Sequence, residues 1–380
     1  MDNRLNGDFL ISIDIGTTAA KVGLVNVEGA QTVSVLSSEY KNGVLHPKSL
    51  WAESYPEDWW TTVCQLVIKL FQQTNVSPSQ VVGIGLCNTC PSLIALDDKG
   101  NVLRPAILYM DQRSVKQAGR LIRKVGCQTF AEIAGNRIAP GAFSITSMLW
   151  IKENEPEVYK KTFKFMIAPG YIAYLLTGEF SYDWTHASWS LLFDIRKREW
   201  SEKMFNLFNI SREKFPETMP SYKVLGHLTQ NAAKETGLNP GTLVMVGGSD
   251  TPLAALAENV VDRNLALITA GSVSSVITCT DVPNFSSTLL NRCHVVPDRW
   301  LMQGAMNAHS NVFEWLIREF YLKKGESLSS EIFENVEEEI KSSPVGSNNL
   351  IFLPYLAGER SPIWDPYARG VIFGLSFHHS

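Results

Sequence analysis

Residues 9–15, Phe-Leu-Ile-Ser-Ile-Asp-Ile, read as a strand of apolar and small residues that runs into a glycine turn, Asp14-Ile15-Gly16-Thr17-Thr18. A second strand-like run follows at residues 21–27, so the two form a β-hairpin. Residues 56–74 then carry apolar positions at helical spacing behind Pro56, and residues 81–86 read as a short buried strand. A chain that opens with hairpin, helix and buried strand must cover a sheet with helices. The interleaving continues with strands at 93–96 and 106–109 around the Asp97-Asp98-Lys99-Gly100 turn. Helical patterns run from 114 to about 176, where Gly178 caps the last of them. Further strands are expected at 243–246, 265–269, 276–279 and 350–353, and helices at 252–257, 311–321 and 330–340. The pattern predicts an α/β protein.

A chain of 380 residues is too long for one ordinary core, so two domains are expected. The strand–glycine–acid–helix element at Asp250 restarts the pattern of the N-terminus, which divides the chain into 1–247 and 248–380. The net charge of −4 argues against a nucleic-acid surface, which needs a basic face. No apolar run reaches the length of a membrane span, and the polar residues 1–8 do not read as a secretory signal, so a cytoplasmic protein is expected. Six scattered cysteines fit reduced thiols. Cys87 and Cys90 have C-x-x-C spacing but no second pair at ligand spacing, and read as small residues at a strand end rather than a metal or redox site.

Three turns carry residues suited to phosphate chemistry. In the first, Gly16 permits a tight turn while Thr17 and Thr18 offer hydroxyls and backbone N–H groups to phosphate oxygens. Asp14, at the strand end, suits Mg²⁺, which takes carboxylate oxygen and keeps waters. An ordinary polar hairpin would look the same, and there is no G-x-x-x-x-G-K-[ST] loop. In the second, Gly247-Gly248-Ser249 leads to Asp250 ahead of a Pro-started helix, where a carboxylate can accept a proton from an attacking hydroxyl or simply cap the helix. In the third, Gly271 and Ser272 lie between two strands, as a second phosphate hairpin or a plain turn.

Taken in order, these pieces resemble the FGGY carbohydrate kinases. The resemblance rests on Ile13-Asp14-Ile15-Gly16-Thr17-Thr18 with Lys21, on Trp51-Ala52-Glu53 with Pro56-Glu57-Asp58-Trp59-Trp60, on Asp111-Gln112-Arg113, on Leu176-Thr177-Gly178-Glu179 with Asp183, Ala187 and Ser188, on Gly247-Gly248-Ser249-Asp250 and on Gly271-Ser272. Its most specific string is Phe352-Leu353-Pro354-Tyr355-Leu356-Ala357-Gly358-Glu359-Arg360-Ser361-Pro362, followed by Asp365-Pro366 and Ala368-Arg369-Gly370. The resemblance implies an actin-like ATPase, ribonuclease H-like fold of two domains around a cleft, with the second domain incomplete here. It implies ATP and Mg²⁺ as cofactors, a sugar, sugar acid or polyol as substrate, and Asp250 as general base. Asp14 would hold the metal, with Gly16, Thr17, Thr18, Lys21, Gly271 and Ser272 around the nucleotide phosphates. It also points to a homodimer.

The departures matter for substrate. Xylulokinase-like members carry Gln-Met-His after the strand at 81–86, and glycerol kinases carry Arg-Glu; this chain has Thr89-Cys90-Pro91. Asn88 and Thr89 are left to bond hydroxyls or to cap the strand end. Asp111 and Arg113 are kept, and Arg113 either contacts substrate or pairs with a carboxylate to fix its loop. The family's Lys-Asp-Tyr is Pro169-Gly170-Tyr171 here, without the acid. Family members also continue past residue 380 into a glycine-rich adenosine segment, so the given chain is expected to bind ATP poorly, to turn over little and to expose an apolar face on its second domain. The rival expectation is a non-catalytic sugar-binding or regulatory relative.

Overall fold

The computed structural model describes residues 7–379, apart from 90, 140, 272, 273, 323–325, 366 and 378. Strand Phe9–Ile15 shows why its side chains sort as they do. Phe9, Ile11, Ile13 and Ile15 are fully buried, while Leu10 and Ser12 are exposed and Asp14 is half-buried. The period of two sends the apolar residues into a helix-covered core and leaves Asp14 on the opposite, open face.

This strand lies near the middle of a seven-stranded sheet. Its order is Val224–His227, Leu243–Met245, Val81–Asn88, Phe9–Ile15, Ala19–Asn26 and Gln31–Glu39, with Gly248–Ser249 also paired to Val81–Asn88. Phe9–Ile15, Leu243–Met245 and Gly248–Ser249 all run parallel to Val81–Asn88, and the hairpin strands are antiparallel. Helix Pro56–Gln73 begins with proline and places Glu57 and Asp58 in its first turn, where carboxylates oppose the helix dipole. Its Val63, Leu66 and Leu70 share the core with Ile11, Ile84 and Ile172, the last from helix Ala168–Thr177. A smaller sheet of Glu53–Ser54, Ala106–Leu108, Ser92–Leu96 and Lys164–Met166 extends this domain.

The second sheet is antiparallel throughout, in the order Ala266–Ala270, Ser274–Thr280, Trp300–Met306 and Leu290–Cys293. Its last strand is fastened to the first domain. Asn136 Nδ2 donates to the Asn291 carbonyl at 2.7 Å, the Asn291 N–H donates back to Asn136 Oδ1 at 2.8 Å, and the Cys293 N–H donates to Ser188 Oγ at 3.0 Å.

Several elements differ from the sequence reading. Gly248 and Ser249 pair with the first sheet, so that sheet runs past residue 247. The helix starts at Asp250 rather than Pro252. Strand Gln31–Glu39 was not read because it is an edge strand with no fully buried residue. Leu290–Cys293 was not read because Asn291 and Arg292 are buried polar residues that break the apolar pattern. Helix Ala168–Thr177 has no room for the family's acid: a Cβ on Gly170 would lie 2.9 Å from Met166 Cε and from the Ser181 carbonyl oxygen. An open apolar face is present, for all six residues of the ribbon Ile351–Leu353 and Val371–Phe373 are exposed.

Candidate active site

Three parallel strands bring their carboxyl ends to one edge. The register sets Asp14 beside Cys87 and Cys87 beside Gly248, with Ser249 beside Asn88. Adjacent strands are about 4.8 Å apart, so Asp14 and the start of the Asp250 helix bracket Val81–Asn88 with roughly 10 Å between their backbones. The carboxyl ends of parallel strands are where α/β sheets bind ligands. Both acids bear on one neighbour: burial first, then the charges of Asp14 and Asp250, push the Cys87 thiol well above its ordinary pKa.

The Asp14 turn is held from outside. A Cβ on Gly16 would lie 2.8 Å from the Ala19 carbonyl oxygen, so the turn needs glycine. Tyr40 donates its hydroxyl to the Gly16 carbonyl at 3.0 Å and its N–H to the Thr18 carbonyl at 3.0 Å. Asn88 Nδ2 donates to the Ile15 carbonyl at 2.6 Å. These bonds tie down the carbonyls, and among the described residues no acceptor meets the N–H of Thr17 or Thr18. Thr18 is exposed and Thr17 half-buried. Asp14 keeps 34% of its side chain exposed, with the Lys21 ammonium 3.6 Å away on the paired strand.

The Asp250 turn depends on two glycines. Gly247 has φ +78°, and a Cβ there would lie 2.4 Å from the Leu86 carbonyl oxygen; one on Gly248 would lie 3.0 Å from Ser221 Oγ. Asp250 Oδ1 accepts from Thr251 N–H at 2.6 Å and from the hydroxyls of Ser249 and Thr251 at 3.2 Å each. Oδ2 has no hydrogen-bond partner among the described residues. One oxygen is therefore anchored and the other is free to work, on a half-buried carboxylate at a helix start.

The remaining expected residues separate. Gly271 is exposed on the hairpin of the second sheet, and its carbonyl accepts the Ser310 N–H at 3.1 Å where helix Ser310–Phe320 begins. Ser272 and Cys90 lie outside the described residues, as does Pro366 of the C-terminal string. Asn88 is buried and lines a narrow crevice with Gly16, Thr17, Thr89, Pro91 and Tyr109. Its Oδ1 has no partner.

Asp111 and Arg113 do not line that crevice. Both side chains are 0% exposed and bonded to each other at 2.8 Å, and Arg113 Nη2 also meets Glu53 Oε1 at 2.8 Å. Asp111 Oδ2 accepts the Ala52 N–H at 2.6 Å, and the guanidinium stacks 3.7 Å over Trp51. Of the two roles open to Arg113 in the sequence, the pairing with a carboxylate is the one seen here, in a buried network with Asp111 and Glu53.

Sequence reading missed the groups behind Asp250. Asp183 entered only as part of the resemblance, with no role, and Thr185 and His186 not at all; they come from a different segment, and nothing in their spacing points to residue 249. Among the described residues no group of three or more His, Cys, Asp or Glu side chains converges on a metal position. Mg²⁺, which keeps waters and takes phosphate oxygens with one or two carboxylates, fits a lone, partly exposed acid such as Asp14 better than an all-protein cage.

A two-domain α/β chain with an acid at each side of a parallel strand edge, and hairpin N–H groups that meet no acceptor among the described residues, has the parts of a phosphotransferase. The family profile described as "FGGY family of carbohydrate kinases, N-terminal domain" matches residues 9–257, and its C-terminal counterpart matches residues 266–380. The xylulose kinase of Bacillus subtilis is 30% identical over 374 residues, covering 98% of this chain and 72% of the relative. The gluconokinase of the same organism is 26% identical over 379 residues. Among solved structures, xylulose kinase from Rhodospirillum rubrum superposes with a TM-score of 0.90 at 28% identity, covering 98% of this chain and 74% of the other. Gluconate kinase from Lactobacillus acidophilus gives 0.89 at 26%, covering 99% and 74%. The chain belongs to the FGGY family of carbohydrate kinases, and it has their actin-like fold.

Proposed function

We propose that this carbohydrate kinase transfers the γ-phosphate of Mg·ATP to a hydroxyl of a sugar, sugar acid or polyol, and that Asp250 accepts the hydroxyl proton. The observation that carries the reading is the free Oδ2 of Asp250, two strands from Asp14 on the same sheet edge. Phosphoryl transfer depends mainly on positioning and charge neutralisation, with one group orienting the nucleophile. Mg²⁺ supplies that neutralisation when bound, with Asp14 as its protein ligand. The N–H groups of Thr17 and Thr18 hold phosphate oxygens from the first domain, and the Gly271 hairpin does so from the second. Closure of the two domains excludes water that would otherwise take the phosphate. Among the described residues no helix is long and apolar enough to cross a membrane.

Asn88 and Thr89 are assigned to substrate hydroxyls, since Asn88 presents an unpartnered buried acceptor at the crevice. Asp111 and Arg113 are assigned to the scaffold. Pro91 offers no hydrogen bond where xylulokinase-like members place an imidazole, which leaves the sugar open. Sugar-dependent ADP release over pentuloses, hexuloses, aldonates and polyols, with xylulose and gluconate included, identifies it. Asp250→Ala should abolish that release and spare sugar binding; retained turnover removes Asp250 from the mechanism.

A further inference from the structure

We propose that Thr185 is the positioning residue for Asp250, held in that task by Asp183. The inference rests on the reading of Asp250 as the base. The Asp183 carboxylate is saturated by one short segment. Its Oδ1 accepts the N–H groups of Thr185 and His186 at 3.0 Å each and also the Thr185 hydroxyl, and its Oδ2 bonds His186 Nδ1 at 2.6 Å. Asp183, Thr185, His186 and Ser249 are all at most 3% exposed.

A hydroxyl has one proton. Thr185 gives that proton to Asp183, so its oxygen can only accept from elsewhere. It accepts the Ser249 N–H at 2.8 Å. Ser249 is the residue before the Asp250 helix, and its own hydroxyl donates to Asp250 Oδ1. The peptide carrying the base is thus held on one flank by the strand containing Asn88 and on the other by Thr185. Capping of the short helix Trp184–Ala187 by Asp183 explains its bonds to the backbone. Capping does not explain why the Thr185 hydroxyl is committed to the same carboxylate and turned to Ser249. Valine at 185 would keep the shape and remove both bonds, leaving a buried N–H without an acceptor. The base would then lose one of its two lateral supports, and transfer rates are sensitive to displacements of that kind.

The test compares Thr185→Val, Thr185→Ser and Asp250→Ala in the intact protein. The readouts are sugar-dependent ADP release, calorimetric sugar binding without nucleotide, and hydrogen exchange of the Ser249 amide. Thr185→Val should lower kcat roughly 10- to 100-fold while the sugar Kd stays within about threefold. Exchange of the Ser249 amide should speed up at least about tenfold in the unliganded protein, and Thr185→Ser should return both kcat and the exchange rate toward wild type. Thr185→Ala replaces the valine variant if that does not fold, with the same outcomes deciding. An unchanged kcat in the valine variant overturns the proposal. So does a loss of kcat matched by an equal loss of sugar affinity that serine fails to restore. Asp250→Ala separates the two readings: if it keeps turnover, the base assignment falls and this inference with it. If it abolishes turnover while Thr185→Val does not, only this inference falls.

Discussion

Cys87 stands directly opposite Asp14 across the paired strands Phe9–Ile15 and Val81–Asn88. Burial, and then the charges of Asp14 and Asp250, hold the thiol in its protonated form; Lys21 opposes them weakly. Alkylation requires thiolate. Native protein at pH 8 should therefore leave Cys87 unmodified by iodoacetamide over an hour, as read by peptide mass spectrometry. Burial pushes Cys64 and Cys293 up to about 12, and they should also stay unmodified. Rapid native labelling of Cys87 would contradict this geometry.

Gly247 is required by its backbone. At φ +78°, with a virtual Cβ 2.4 Å from the Leu86 carbonyl oxygen, alanine there must displace the strand that delivers Asp250. Gly247→Ala should lower unfolding free energy by about 3 kcal/mol or more in urea titrations. Gly237→Ala is the control, since φ is +74° there but the nearest atom to its Cβ is 3.8 Å away. It should lose only about 1 kcal/mol. Equal losses at the two sites would remove the steric argument.

Arg113 joins Asp111 and Glu53 with no solvent contact. Arg113→Ala leaves the buried Asp111 carboxylate without its counter-charge, while Glu53 keeps Arg104, and should cost about 3–5 kcal/mol of stability. Arg113→Lys should recover only part, because an ammonium cannot replace the planar fork or its stacking on Trp51. The ratio of kcat/KM between two sugars should be the same in Arg113→Lys and wild type. A changed ratio at unchanged stability would return Arg113 to the sugar pocket.

His294 gives a pH dependence. It is buried, with Nε2 donating to the Val260 carbonyl at 3.1 Å and Nδ1 accepting the Val296 N–H at 3.3 Å, an arrangement that fixes the neutral ring. Burial lowers its pKa below the ordinary 6.5, with Arg299 adding to the effect and the Val260 bond opposing it. The unfolded chain therefore binds the proton more readily, so stability rises with pH in this window. The contribution is complete above about pH 7 and falls as the pH drops below 6.5 toward the folded value. Urea midpoints at pH 7.5 and 5.5 should differ more in wild type than in His294→Gln. An equal difference would exclude His294 as the source.

Much of the candidate site was legible because its parts are local. Asp14-Ile15-Gly16-Thr17-Thr18 and Gly247-Gly248-Ser249-Asp250 each pair a glycine that only one backbone geometry explains with an acid at a strand end. The alternation of strands and helices was legible because buried strands and amphipathic helices leave different apolar periods. Edge strand Gln31–Glu39 left none, being largely exposed, and Leu290–Cys293 hid its burial behind Asn291 and Arg292.

The sequence alone therefore determined which short segments can form turns with free N–H groups and exposed acids, since steric limits on glycine and the period of two act within a few residues. Tertiary structure decided which segments meet. It set Cys87 between Asp14 and Gly248, closed Arg113 onto Asp111 and Glu53 inside the protein, and brought Thr185 to the N–H of Ser249. Those outcomes depend on strand register and burial across distant parts of the chain, and neither quantity is encoded in any local spacing.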